Sequence, residues 1–150
     1  VSGRRGFTVL ELLIVVSMVG IIAAIALPRF AKARAHARAA DIVGAMRAIR
    51  IGATIFYDSA GIWPPQASQG TVPPLLVGYL PRKDLFSGDG WTLRWRRVSV
   101  AGGGTEALLV ARTTDPTLCS SLSYLLGGAS PSLAVNCTAA NGRITQTIER

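Results

Sequence analysis

The sequence predicts an α+β protein in which a long N-terminal membrane-spanning helix packs on a small antiparallel β-sheet head. Three observations predict it. The run Phe7–Leu27 is predominantly apolar and carries one charge, Glu11. Ile42, Met46, Ile49, Ala53 and Phe56 then recur at spacings of 4, 3, 4 and 3, a stripe on one helical face. In the distal half, apolar and polar residues alternate over Trp91–Val100, and a second strand is predicted over Glu106–Arg112.

The chain has 150 residues, enough for one globular domain besides the apolar run. Charged residues are only 16% of it, and the net charge of +8 comes from short clusters at Arg4-Arg5, Arg29–Arg38 and Arg94–Arg97. No nucleic-acid module accompanies these clusters, so no nucleic-acid partner is expected.

At about 1.5 Å per residue, Phe7–Leu27 spans a hydrocarbon core of about 30 Å. A secretory signal would have a shorter apolar stretch before its cleavage site; this run instead continues straight into a helical pattern. Glu11 lies about 6 Å along the axis from Phe7, close enough to the interface to be tolerated in a lipid-embedded monomer. Pro28 removes a helical hydrogen bond and is expected to kink the helix. The helix should nonetheless continue to about residue 58, its stripe packing on the head; a coiled-coil dimer is the other use of such a stripe. Gly44 and Gly52 suit close packing along it. Residues 59–90 are rich in Pro and Gly and read as turns. Gly102-Gly103-Gly104 marks a turn. Asp115–Leu126 reads as a short helix capped by Thr114 or Asp115, with Pro116 in its first turn. Leu133–Cys137 and Arg143–Ile148 read as closing strands around an Asn141-Gly142 turn.

The two cysteines, Cys119 and Cys137, are too far apart in sequence for a CxxC motif. They read most simply as one disulfide in an oxidising compartment, the other reading being two buried thiols in a cytosolic domain. The single histidine, His36, has no catalytic partner motif, and no phosphate loop or carboxylate pair appears. The chain is not expected to be an enzyme.

Arg4-Arg5 followed by Gly6-Phe7-Thr8-Val9-Leu10-Glu11 resembles the prepilin cleavage and methylation motif of type IV pilins and type II secretion pseudopilins. The resemblance covers about 30 residues. It implies a leader at 1–6, a transmembrane and filament-core helix at 7–28, an amphipathic continuation at 29–58 and a head at 59–150. It implies cleavage after Gly6 by a prepilin peptidase and N-methylation of Phe7. Glu11 stands where the family places its assembly glutamate, which would meet the Phe7 amine of a neighbouring subunit. Pro28 stands where the family commonly has a bending proline. Expected partners are copies of the chain, other pilin-like subunits, the inner membrane, the peptidase and an inner-membrane assembly platform. The head is expected outside the cytoplasm, in a periplasmic or surface filament. Arg29, Lys32, Arg34 and Arg38 just beyond the span argue the opposite orientation by charge alone; the motif and the cysteines outweigh them.

Gly78-Tyr79-Leu80-Pro81 followed by Lys83-Asp84 is similar to the layout of the major pseudopilin of type II secretion, a filament serving protein secretion. A surface pilin, serving adhesion, motility or DNA uptake, is the alternative within the family, and an uncleaved single-pass binding or sensor module is the alternative outside it. That pseudopilin usually continues Pro-Trp-Gly, where this chain has Leu85-Phe86-Ser87. No cofactor is expected; calcium at Asp84 and Asp89 is the alternative, although such a site needs six or more oxygens.

Overall fold

The computed structural model describes residues 7–100, 103–126, 133–138 and 141–148, with the backbone alone for 133–138, 141–144 and 146. Two compact units divide the chain, Val1–Arg34 and Ala35–Arg150.

Helix α1 runs from Val9 to Ala60 with Pro28 inside it. Within the first unit its large apolar side chains are exposed, from 47% at Ile14 to 84% at Val9. It is the one described helix long and apolar enough to cross a membrane. Its polar groups are satisfied locally: the Ser17 hydroxyl donates to the Leu13 carbonyl at 2.8 Å, as hydrocarbon surroundings require.

Burial begins at Ala35. In the second unit all five residues of the helical stripe, Ile42 to Phe56, are buried and join Leu93, Trp95 and Leu109 of the sheet in one core. The stripe is therefore the face of α1 that packs on the head. Ile42, Met46, Ile49 and Phe56 each contribute roughly 1.5–3 kcal/mol on burial.

The sheet is antiparallel throughout, with strands β1 (Ser87–Gly88), β2 (Trp91–Ser99), β3 (Thr105–Thr113), β4 (Leu133–Thr138) and β5 (Asn141–Ile148) in the order β1-β2-β3-β5-β4. In β2 the alternation decides the faces: Trp91, Leu93 and Trp95 turn into the core, while Thr92, Arg94 and Arg96 turn away. Helix α2 (Pro116–Leu126) joins β3 to β4. Asp115 is its cap, its carboxylate accepting from the amides of Thr117 at 2.9 Å and Leu118 at 3.3 Å.

Two expectations need correction. Residues 59–90 are more ordered than their Pro and Gly content suggests. They include a 3-10 helix over Pro74–Tyr79 and the short strand β1. The 3-10 helix carries Leu76 into the core, and Tyr79 meets Phe56 edge-on at 5.5 Å. The connection is also tied to β2, because the buried Trp95 ring nitrogen donates to the Pro64 carbonyl at 3.0 Å. Asn141 and Gly142 do not form a turn between strands. They are the first residues of β5, opposite Thr138 and Cys137.

Gly52 performs the close-packing role: a Cβ there would lie 2.8 Å from the Tyr79 carbonyl oxygen. Gly44 does not, since a Cβ there would meet nothing within 4 Å.

Candidate assembly and processing site

The first turn of α1 is closed by its own side chains. Thr8 is the N-cap, and its hydroxyl oxygen accepts from the Glu11 amide at 3.2 Å. In return Glu11 Oε2 accepts from the Thr8 amide at 3.3 Å and from the Thr8 hydroxyl at 3.1 Å. Helical bonding begins at once, with the Leu12 amide donating to the Thr8 carbonyl at 3.2 Å. This is a capping box, in which Thr and a Glu three residues later satisfy two otherwise orphaned amides. The carboxylate also lies at the positive end of the helix dipole.

The box has two consequences. It fixes Glu11 beside Phe7 and Thr8 instead of leaving it to snorkel freely. It also uses only Oε2, so Oε1 has no hydrogen bond among the described residues. A carboxylate has about four acceptor sites in all. Glu11 can therefore cap its own helix and still receive a cation from outside. Thr8 was not singled out in the sequence; the Thr-x-x-Glu spacing was the signal that could have found it.

Phe7 is 77% exposed beside this box, and Gly6 lies outside the described residues together with the rest of 1–6. Farther along α1, Ile22, Ile25, Ala26, Arg29, Phe30 and Ala33 line an open groove. Its lining is mostly apolar, with Arg29 the one charged residue in it.

The remaining expected site residues are scattered through the head. Cys119 is buried on α2, which lies against β4. Cys137 belongs to β4, but its side chain lies outside the described residues. Asp84 faces Arg82 at 3.2 Å, and Asp89 is held by Arg38. Calcium at these aspartates would have to displace both guanidinium groups. No cluster of three metal-ligating side chains occurs among the described residues. Leu85 and Phe86, which depart from the pseudopilin pattern, are both buried in the core.

Residues 1–27 match the family model described as "Prokaryotic N-terminal methylation motif". The chain is 35% identical over 71 residues to the type IV major pilin protein PilE1 of Neisseria gonorrhoeae, covering 47% of this chain and 33% of that protein. It is 30% identical over 103 residues to the type IV major pilin protein PilA of Myxococcus xanthus, covering 69% of this chain and 40% of that protein.

The chain belongs to the type IV pilin family.

A fimbrial protein of Eikenella corrodens, EcpC, is 33% identical over 61 residues, covering 41% of this chain and 40% of that protein. This pilin-family chain thus spans well under half the length of these relatives. No solved structure matches it. Pilins are structural subunits rather than enzymes.

Proposed function

We propose that this chain is a structural subunit of a type IV pilus-like filament, cleaved after Gly6 by a prepilin peptidase and N-methylated at Phe7. The observation that carries the reading is the capping box at the end of an exposed apolar helix. Before assembly the apolar surface of residues 7–27 lies in the inner membrane. On assembly it leaves lipid for equivalent helices, with Pro28 supplying a bend in the helix. Cleavage creates an amine at Phe7, and Oε1 of a neighbour's Glu11 receives it. A buried pair of this kind adds little net stability, but either charge alone in a dry core is expensive. Its effect is to enforce register. The head stands outside the cytoplasm, where Cys119 and Cys137 form a disulfide.

Two observations favour different filaments. The names of the matched relatives, type IV major pilins and fimbrial proteins, favour a surface pilus. The Gly78–Asp84 layout favours the pseudopilus of type II secretion. Cells producing the chain with a prepilin peptidase and an assembly platform decide between them. Filaments containing the chain in the sheared surface fraction indicate a pilus. Loss of secreted protein on deletion of the chain, with no sheared filaments, indicates a pseudopilus. A deletion that alters neither, with the chain confined to the membrane as a monomer, would overturn the filament reading.

A further inference from the structure

Beyond Glu11 the chain carries no acidic residue until Asp41, and within that stretch stand Arg29, Lys32, Arg34 and Arg38. Arg38 is held by Asp89. Arg29 and Lys32 are exposed on α1 and meet no carboxylate among the described residues. They stand roughly 3 and 8 Å along the helix axis past Leu27. A headgroup layer is roughly 5–8 Å deep on either side of the hydrocarbon. Both cations therefore lie at headgroup level when residues 7–27 span the membrane.

The groove on α1 leads down from that level. Ile22, Ile25, Ala26, Arg29, Phe30 and Ala33 recur at spacings of 3, 1, 3, 1 and 3, which puts them on one helical face. Arg29 stands about 10 Å along the axis from Ile22. The groove thus joins one guanidinium to a strip of apolar wall that runs into hydrocarbon. Lys32, three residues on, is a neighbour of Arg29 on the helix surface. An apolar strip with cations at its headgroup end fits an acyl chain that carries a phosphate.

We propose that before assembly this groove holds an anionic phospholipid, one acyl chain along Ile22, Ile25 and Ala26 and its phosphate between Arg29 and Lys32. The inference rests on the proposed membrane insertion and adds the class of lipid. A guanidinium matches phosphate oxygens in bidentate geometry. A zwitterionic lipid offers the same phosphate, but its ammonium is repelled by the same two cations. A second copy is disfavoured in the groove, because its equivalent face would bring Arg29 and Lys32 against their like. The contact also gives a use to basic residues whose place beyond the span opposes the orientation drawn from the motif. In this role they hold a headgroup instead of setting topology.

The test offers the full chain, in detergent micelles, equal amounts of dioleoylphosphatidylglycerol and dioleoylphosphatidylcholine, and counts bound lipid by native mass spectrometry. Adducts of the anionic lipid are expected to exceed the other by at least about fivefold, the worth of one basic residue near an anionic surface. Exchanging Arg29 and Lys32 together for Gln should bring that ratio below about twofold. Arg47→Gln with Arg50→Gln removes the same charge from exposed positions farther along α1 and should leave the ratio unchanged. Ala26→Phe fills the groove with the charges intact, and should lower total bound lipid by about threefold through lost apolar contact. Equal loss of preference in the two double variants would overturn the proposal. So would unchanged lipid on Ala26→Phe, displacement of the lipid by an equal concentration of soluble glycerol 3-phosphate, or dimers in place of lipid adducts. Flotation with phosphatidylcholine vesicles separates this inference from the insertion it rests on. A chain that floats but shows no preference for the anionic lipid sinks the lipid site alone; a chain that does not float sinks both.

Discussion

Glu11 carries two demands that can be separated by substitution. As the N3 member of the capping box it serves its own helix; as a carboxylate it is proposed to serve a neighbour. Glu11→Gln keeps an acceptor for the Thr8 amide and removes the charge. It is expected to insert and be cleaved normally yet leave no filaments in sheared fractions viewed by electron microscopy. An uncompensated amine in the core would cost on the order of 3–5 kcal/mol per contact. Wild-type filament yield from Glu11→Gln would reduce Glu11 to a cap. Gly6→Ala is expected to block maturation, because a Cβ at the scissile bond fills space and narrows the backbone's freedom; gel mobility of the precursor reads it, and normal cutting would move the site elsewhere. Glu11 itself was legible as an isolated charge in an apolar run. Its partner Thr8 was not, because a hydroxyl next to a span draws attention only when the backbone amides needing it are counted.

The elements differ in how plainly they were written. α1 and β2 announce themselves through periodicity, since one face of each must be apolar to reach the core they share. The 3-10 helix Pro74–Tyr79 does not. Its Pro pair and Gly read as breakers, and only Leu76 at its centre reports that the segment is a lid on the core. Asn141-Gly142 misled for a related reason: the pair is favoured in two-residue hairpin turns, but the ladder partners of β4 extend through it. Gly52 gives a sharp test of the lid. Gly52→Ala places a methyl against the Tyr79 carbonyl at 2.8 Å, in a backbone that cannot simply rotate away. Overpacking of this kind is expected to destabilise the head by about 1–3 kcal/mol. Gly44→Ala, in open space on the same helix, is expected to stabilise slightly through helix propensity. Urea midpoints of the two variants would show the contrast, and equal shifts would mean that the lid is not packed as described.

At the scale of the whole molecule, the proposed function asks one chain to satisfy lipid, then a helical bundle, with a head that stays folded throughout. The burial pattern divides this work at residues 34 and 35. The head's own integrity is expected to rest partly on a disulfide between Cys119 and Cys137, closing a loop of about 18 residues and contributing roughly 3 kcal/mol. Thiol labelling of denatured, unreduced protein should find no free cysteine; two labelled thiols would refute the pairing. The sheet order was not legible in the sequence, because nothing local tells β5 to insert between β3 and β4. Whether this chain is a processed filament subunit is read from the intact mass of the chain recovered from membranes. With a prepilin peptidase present, a species lacking VSGRRG and carrying one added methyl at Phe7 is expected. A chain that keeps its first six residues in the presence of active peptidase would contradict it, and would make the helix an uncleaved anchor.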